Sequence, residues 1–163
     1  MDSDNQFMEA ALALARQAAE NGEIPVGALV VRYGPRGPVA IGAGGNRRRC
    51  DADPTAHAEI VALRAAGTAL GRWQLTDCDL FVTLEPCPMC AGALVNARIR
   101  RLVFGCRDPK AGAVETLYRI TADPRLNHHV RVVEGIGAEE AAVLLRAFFV
   151  RRRESTARAT GAS

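Results

Sequence analysis

The chain has 163 residues, 48% of them apolar, and a formal net charge of +3. That length suits one domain, and the composition can build a hydrophobic core, which excludes a disordered tail or a disulfide-stapled mini-protein. No apolar run nears the roughly 18 to 20 residues of a membrane span. The two N-terminal aspartates, with no basic stretch before an apolar run, exclude a secretory signal, so a soluble cytoplasmic protein is expected.

Ser3 and Gln6 match a capping box, and Phe7, Ala11, Leu14 and Ala18 recur at helical spacing until Asn21-Gly22. Val26 to Arg32 reads as a strand, residues 34–38 as a turn, and Val39 to Gly44 as a returning strand. Asn46 to Ala56 is a polar loop. Thr55 is a candidate cap for a helix running to Leu70 and stopping at Gly71. Leu80 to Leu84 is a short buried strand, and Pro86 suits the first turn of a helix to about Ala97. Leu102 to Cys106 is a strand. Residues 107–127 are irregular, with a helical turn near Leu117. Val130 to Glu134 is the fifth strand, and Ala138 to Arg153 a final amphipathic helix. The order implies an α/β fold, a three-layer α/β/α sandwich on a mixed five-stranded sheet. It opens with an antiparallel hairpin and continues with parallel strands. Residues 1–153 form the domain, and 154–163, rich in Ala, Ser and Thr, are expected to be a disordered tail.

Lys110 is the sole lysine beside twenty arginines. Arginine-favouring codons account for much of that number, but the placement is uneven. Arg151, Arg152, Arg153 and Arg158 against Glu154 give the last fourteen residues a charge of +3, the net charge of the whole chain. Arg47 to Arg49 form a second cluster, and Arg98, Arg100, Arg101 and Arg107 a third. Such clusters suit nucleic acid, or simply a solvated surface.

Five cysteines is an odd count, and without a secretion signal it points to metal or catalytic use rather than disulfides. The strongest signal is His57-Ala58-Glu59 followed by Pro86-Cys87-Pro88-Met89-Cys90. Cys87 and Cys90 are three apart on a helical turn, so their thiolates can face one point. The helix N-terminus favours the anionic sulfurs. One imidazole and two thiolates suit zinc. Three ligands leave a position open for catalysis, and a water there has its pKa lowered toward about 7. Glu59 stands two residues from a ligand, as a general acid/base would. Cys50, Cys78, Cys106, His128 or His129 could instead close a structural site as a fourth ligand. H-x-E followed by P-C-x-x-C is the signature of zinc nucleobase deaminases.

Beyond that motif the chain resembles the bacterial tRNA-specific adenosine deaminases from about Phe7 to Arg153. The resemblance includes residues 22–28, the loop ending in Asn46, and Asp53-Pro54-Thr55-Ala56-His57-Ala58-Glu59. It continues through residues 84–93, 107–113, Asn127-His128 and 148–153. It implies a cytidine deaminase-like fold and a homodimer that binds a tRNA anticodon stem-loop, with an arginine tRNA as the expected substrate. The implied reaction hydrolyses wobble adenosine to inosine. The resemblance places one zinc per subunit on His57, Cys87 and Cys90, with Glu59 moving protons and Asn46 holding the flipped base. It assigns RNA contacts to Arg107, Asp108, Asn127, His128, Phe149 and Arg151, Arg152 and Arg153. Glu85 reads as a supporting group or helix cap rather than a proton carrier. One departure is Val114-Glu115-Thr116, where the family often has Gly-Ser. Pro88 is shared with free-base guanine deaminases and does not discriminate. The alternatives are the same chemistry on free guanine or cytosine, and a structural-zinc module that binds RNA without chemistry.

Overall fold

The computed structural model describes residues 3–161. Four helices, α1 (Ser3–Glu20), α2 (Ala58–Leu70), α3 (Pro88–Asn96) and α4 (Ala138–Thr160), accompany five strands, β1 (Gly27–Gly34), β2 (Gly37–Gly45), β3 (Cys78–Leu84), β4 (Arg101–Cys106) and β5 (Arg131–Glu134). The sheet order is β2-β1-β3-β4-β5. β1 runs antiparallel to both β2 and β3, while β3, β4 and β5 are parallel. The mixed five-stranded sheet expected from the element order is therefore the one formed.

Two apolar layers flank the sheet. On one face Met8, Leu12, Phe81, Val103 and Ala141 gather under α1 and α4. On the other, Val30, Leu80, Phe104, Ala62, Ala66 and Leu94 gather under α2 and α3. The alternation along β3 explains the split, since successive side chains of a strand point to opposite faces. Leu80 and Val82 face α2 and α3, and Phe81 faces α1. α2 lies very close to β2: a Cβ at Gly42 would sit 2.4 Å from the carbonyl oxygen of Ala62. That close approach holds the middle of α2 against the sheet.

The two ends of the parallel strands differ in chemistry. At the N-terminal end, the fully buried Asp79 accepts from Arg100 Nε at 2.8 Å and Arg101 Nε at 2.6 Å. Arg101 also forks onto Asp4 of α1 at 2.7 and 2.8 Å. Leaving one partner of such a buried group unpaired costs about 3–5 kcal/mol. The C-terminal end carries the candidate site, where open α/β sheets place their ligands.

Three local expectations change. The N-cap of α2 is His57 and not Thr55. The Thr55 hydroxyl instead donates to Asp53 Oδ1 at 2.7 Å, closing a turn two residues before the helix. The short helical turn lies at Ile120–Ala122, just beyond Leu117. The final helix runs seven residues past Arg153, through residues expected to form a tail, to Thr160. Alanine and arginine are good helix formers, and the Ser155 and Thr156 hydroxyls bond back to the carbonyls of Arg151 and Arg152 at 3.0 Å, so they do not break the helix. Residues 162–163 of that expected tail lie outside the described residues. No helix among the described residues is long and apolar enough to cross a membrane.

Candidate metal centre and its surroundings

The imidazole of His57 and the thiols of Cys87 and Cys90 meet between the first turns of α2 and α3. His57 caps α2 and Cys87 caps α3, each with an extended backbone and without a side-chain cap bond of its own. Pro88 occupies the first helical turn, where its missing N–H is harmless. Cys90 follows one turn later and is fully buried.

His57 Nδ1 lies 3.6 Å from Cys87 Sγ and 3.5 Å from Cys90 Sγ. A tetrahedral zinc with its usual bond lengths to nitrogen and sulfur separates such ligands by about 3.5 Å. The donor set thus fits zinc in both chemistry and spacing. These three side chains are the one metal-holding group of His, Cys, Asp and Glu among the described residues. The other candidates for a fourth ligand are engaged elsewhere. His128 Nε2 donates to the Ile99 carbonyl at 2.7 Å, and His129 Nε2 to the Asp123 carbonyl at 2.9 Å. Cys106 Sγ lies 3.7 Å from the Thr83 carbonyl, Cys78 is bonded to Asp77, and Cys50 sits beside the carbonyl of Asn21. A three-ligand site is what a catalytic zinc needs.

The cluster is electrostatically tuned. The Cys90 thiol and the His57 ring hold the Cys87 thiol down to about 4, so it is a thiolate at neutral pH. The neighbouring Cys87 and burial push the Cys90 thiol far up. Hydrogen bonding to Cys87 raises His57. Metal binding displaces the shared protons. Glu59 is 4% exposed, and burial pushes its carboxyl up to about 7. A group poised near neutrality can both take and give a proton.

Asn46 is buried at the end of β2, and its side-chain oxygen accepts the Ala58 N–H at 2.9 Å. It thereby caps α2 from twelve residues away. That bond fixes the orientation of the amide, because an N–H must face an acceptor. Its Nδ2 makes no hydrogen bond among the described residues. The loop beyond Asn46 is held from below by Glu23, a buried carboxylate whose Oε1 accepts the N–H groups of Arg49 at 2.7 Å and Cys50 at 2.9 Å.

The expected RNA-contact residues are more scattered. The Arg107 guanidinium forks onto Glu134 at 2.7 and 2.8 Å. Asp108 Oδ1 accepts the N–H groups of Lys110 and Ala111, closing a turn. Asn127 is exposed, while His128 is tied to the backbone of Ile99. Phe148 is buried, and Phe149 meets it edge-on at 5.5 Å with 39% of its surface exposed. Arg151, Arg152 and Arg153 are exposed along α4.

Glu85 has a larger part than that of a helix cap. It is 1% exposed and accepts five hydrogen bonds from the segment 108–116. No local pattern reveals this, because its partners lie 23 to 31 residues downstream. Thr116 supplies the one hydroxyl among them, within the stretch where the sequence departs from the family.

Fold and site together define a zinc-dependent deaminase. The family model for the cytidine and deoxycytidylate deaminase zinc-binding region matches residues 1–106. The chain is 47% identical over 153 residues to the tRNA-specific adenosine deaminase of Agrobacterium fabrum, covering 94% of this chain and 98% of that protein. It also resembles a solved tRNA:A34 deaminase at 48% identity and a TM-score of 0.81, covering 86% of this chain and 99% of that one. The guanine deaminase of Nitrosomonas europaea has the same fold at 27% identity and a TM-score of 0.76, covering 88% and 83% of the two chains. The chain belongs to the family of the tRNA-specific adenosine deaminases.

Proposed function

We propose that this protein is a hydrolase that converts the wobble adenosine of a tRNA anticodon loop to inosine, an attack on the C–N bond of a cyclic amidine. The observation that carries the chemistry is the buried Glu59 beside the converging His57, Cys87 and Cys90. Zinc held by those three supplies the Lewis acid that makes water nucleophilic near neutral pH. Glu59 takes a proton from the water that adds at C6 of the purine and gives it to the ring nitrogen N1. It then carries the proton of the new C6 hydroxyl to the exocyclic nitrogen, which leaves as ammonia as the C6–N bond breaks and the C6 carbonyl forms. The Asn46 oxygen is committed to Ala58, so its Nδ2 is the group that binds an acceptor nitrogen on the purine. An anticodon loop already splays its bases, which lowers the cost of bringing one into the pocket.

The RNA is gripped by Asp108, Asn127, Phe149 and the arginines of α4, with Arg107 and His128 at the margin. Exposed arginines at 151–153 and a half-exposed aromatic at 149 support this assignment. The substrate is an arginine tRNA and the enzyme is a cytoplasmic homodimer. An apolar groove between α2 and α3, lined by Leu63, Ala93, Ala97 and the 64% exposed Trp73, supports a second copy docking there.

The deciding assay incubates zinc-loaded protein with an unmodified arginine tRNA carrying adenosine at the wobble position and quantifies inosine by mass spectrometry. Inosine at that position supports the reading. Its absence, with ammonia released from free guanine instead, would move the enzyme to the free-base class.

A further inference from the structure

The carboxylate of Glu85 lies at the junction of two working segments. Its backbone continues the sheet, donating to the Cys106 carbonyl at 2.9 Å, and two residues later the chain reaches the ligand Cys87. Its side chain reaches the other way. Oε1 accepts three successive backbone N–H groups, from Val114 at 3.2 Å, Glu115 at 2.7 Å and Thr116 at 2.9 Å. Oε2 accepts the Asp108 N–H at 3.0 Å and the Thr116 hydroxyl at 2.5 Å. Successive N–H groups turned to one point form a nest, a concavity that suits an anion. Here the anion is the protein's own. The fit is tight: a Cβ on Gly112 would lie 2.3 Å from Glu85 Oε2. The Ala113 N–H donates to the Pro86 carbonyl at 2.9 Å, so the loop is tied to the metal turn at a second point as well.

A buried carboxylate is tolerated only when its oxygens are satisfied. The loop satisfies all of this one's needs, and in return it is folded around it. Apart from the turns within the loop, few bonds fix residues 108–116 to the sheet. The position of Asp108 relative to Cys87 is therefore set chiefly by this side chain, with the Ala113–Pro86 bond as the second tie.

We propose that Glu85 is a positioning residue for substrate. It holds the 108–116 loop in register with the metal turn, and it governs RNA binding rather than the proton transfers at C6. The inference rests on the proposed action on tRNA. It predicts that loosening the carboxylate raises KM while zinc content and kcat are kept.

The test compares Glu85→Gln, Thr116→Val and Thr116→Ser on an anticodon stem-loop, with zinc content measured on each. Hydrogen exchange is followed at the amides of residues 108 and 114–116. Glu85→Gln turns a donor toward donors, and Thr116→Val removes one donor without changing the shape. Both are expected to raise KM by about tenfold or more, with kcat within about threefold and one zinc per chain. The same amides should exchange faster. Thr116→Ser, which keeps the hydroxyl, should restore the wild-type KM. Should Glu85→Gln fail to fold, the Thr116 pair carries the test alone. A fall in kcat at unchanged KM, or unchanged KM with unchanged exchange, would overturn the proposal. An inactive wild type would instead overturn the assignment of tRNA as substrate, while the exchange data would still report on the loop.

Discussion

The side-chain oxygen of Asn46 accepts the backbone N–H of Ala58 at 2.9 Å. The residue proposed to hold the base thus also caps the helix that carries His57 and Glu59, neither of which its own N-cap side chain secures.

That double duty can be separated. Asn46→Ala leaves the Ala58 N–H without its acceptor and should lower stability by about 1–2 kcal/mol as well as abolish activity. Asn46→Asp keeps the acceptor and loses the donor. Thermal melts should show Asn46→Asp close to wild type, while inosine formation falls by roughly 100-fold. Equal activity in Asn46→Asp and wild type would remove Asn46 from the base-binding site.

Glu59 stands outside the His57, Cys87 and Cys90 group, so its loss is expected to leave zinc in place. Glu59→Gln is expected to bind one zinc per chain and to lose about 100- to 10,000-fold in kcat. A structural-zinc module would show RNA binding and function untouched by the same change. Metal analysis alongside single-turnover deamination distinguishes the two.

Zinc removal should alter thiol chemistry at defined positions. Cys50 is exposed and should be alkylated in any state. Burial pushes the Cys78 thiol up to about 12, which keeps it inert. Cys87, held down to about 4, should become the fast-reacting thiol once a chelator is added. Alkylation followed by peptide mapping reads all three. The melting temperature should fall as well, because a ligand at a hundred times its Kd stabilises the fold by about 2.7 kcal/mol.

Acid should loosen the turn before β3. Burial works against ionised Asp77, but the Arg32 and Arg72 guanidinium groups, its own backbone N–H and the Cys78 thiol outweigh burial and hold its carboxyl below the usual range. A lowered folded pKa means that the stabilisation is complete above the unfolded value of about 3.9 and is lost as pH falls through the folded one. Both ion pairs are partly exposed, so the gain is under about 1 kcal/mol. Urea titrations from pH 6 to pH 2 should show Asp77→Asn with a shallower acid limb. An identical limb in the variant would refute the assignment.

The sequence and the structure agree best where spacing is short. Cys87 and Cys90 share one helical turn, and His57 and Glu59 flank a helix start, so the metal cluster was readable from a few letters. The five strands and the opening antiparallel hairpin followed from apolar runs and turn residues. What local spacing could not reveal was long-range satisfaction of buried polar groups. Thr55 looked like a cap, but Asp53 already held its hydroxyl. Arg107 stood out as an expected RNA contact, and its pairing with Glu134 of the next strand was not visible in the sequence. Glu85 is the strongest case, because its five partners come from a segment with no regular structure. The end of α4 was missed for a different reason: hydroxyl residues suggest coil, yet here they bond back onto their own helix.

The close succession of Glu85 and Cys87 after β3 has a consequence for how this chain can change. Leu84 pairs in parallel with Cys106, so the end of β3 is locked in register with β4. One residue inserted between Val82 and Glu85 would reverse which way the side chains face at the end of the strand. It would turn Glu85 out of its nest and displace the thiolates in the same stroke. Length variation in descendants of this chain should therefore accumulate in the exposed hairpin at residues 34–37 and past Phe148 on α4, and spare the few residues that join the sheet to the metal.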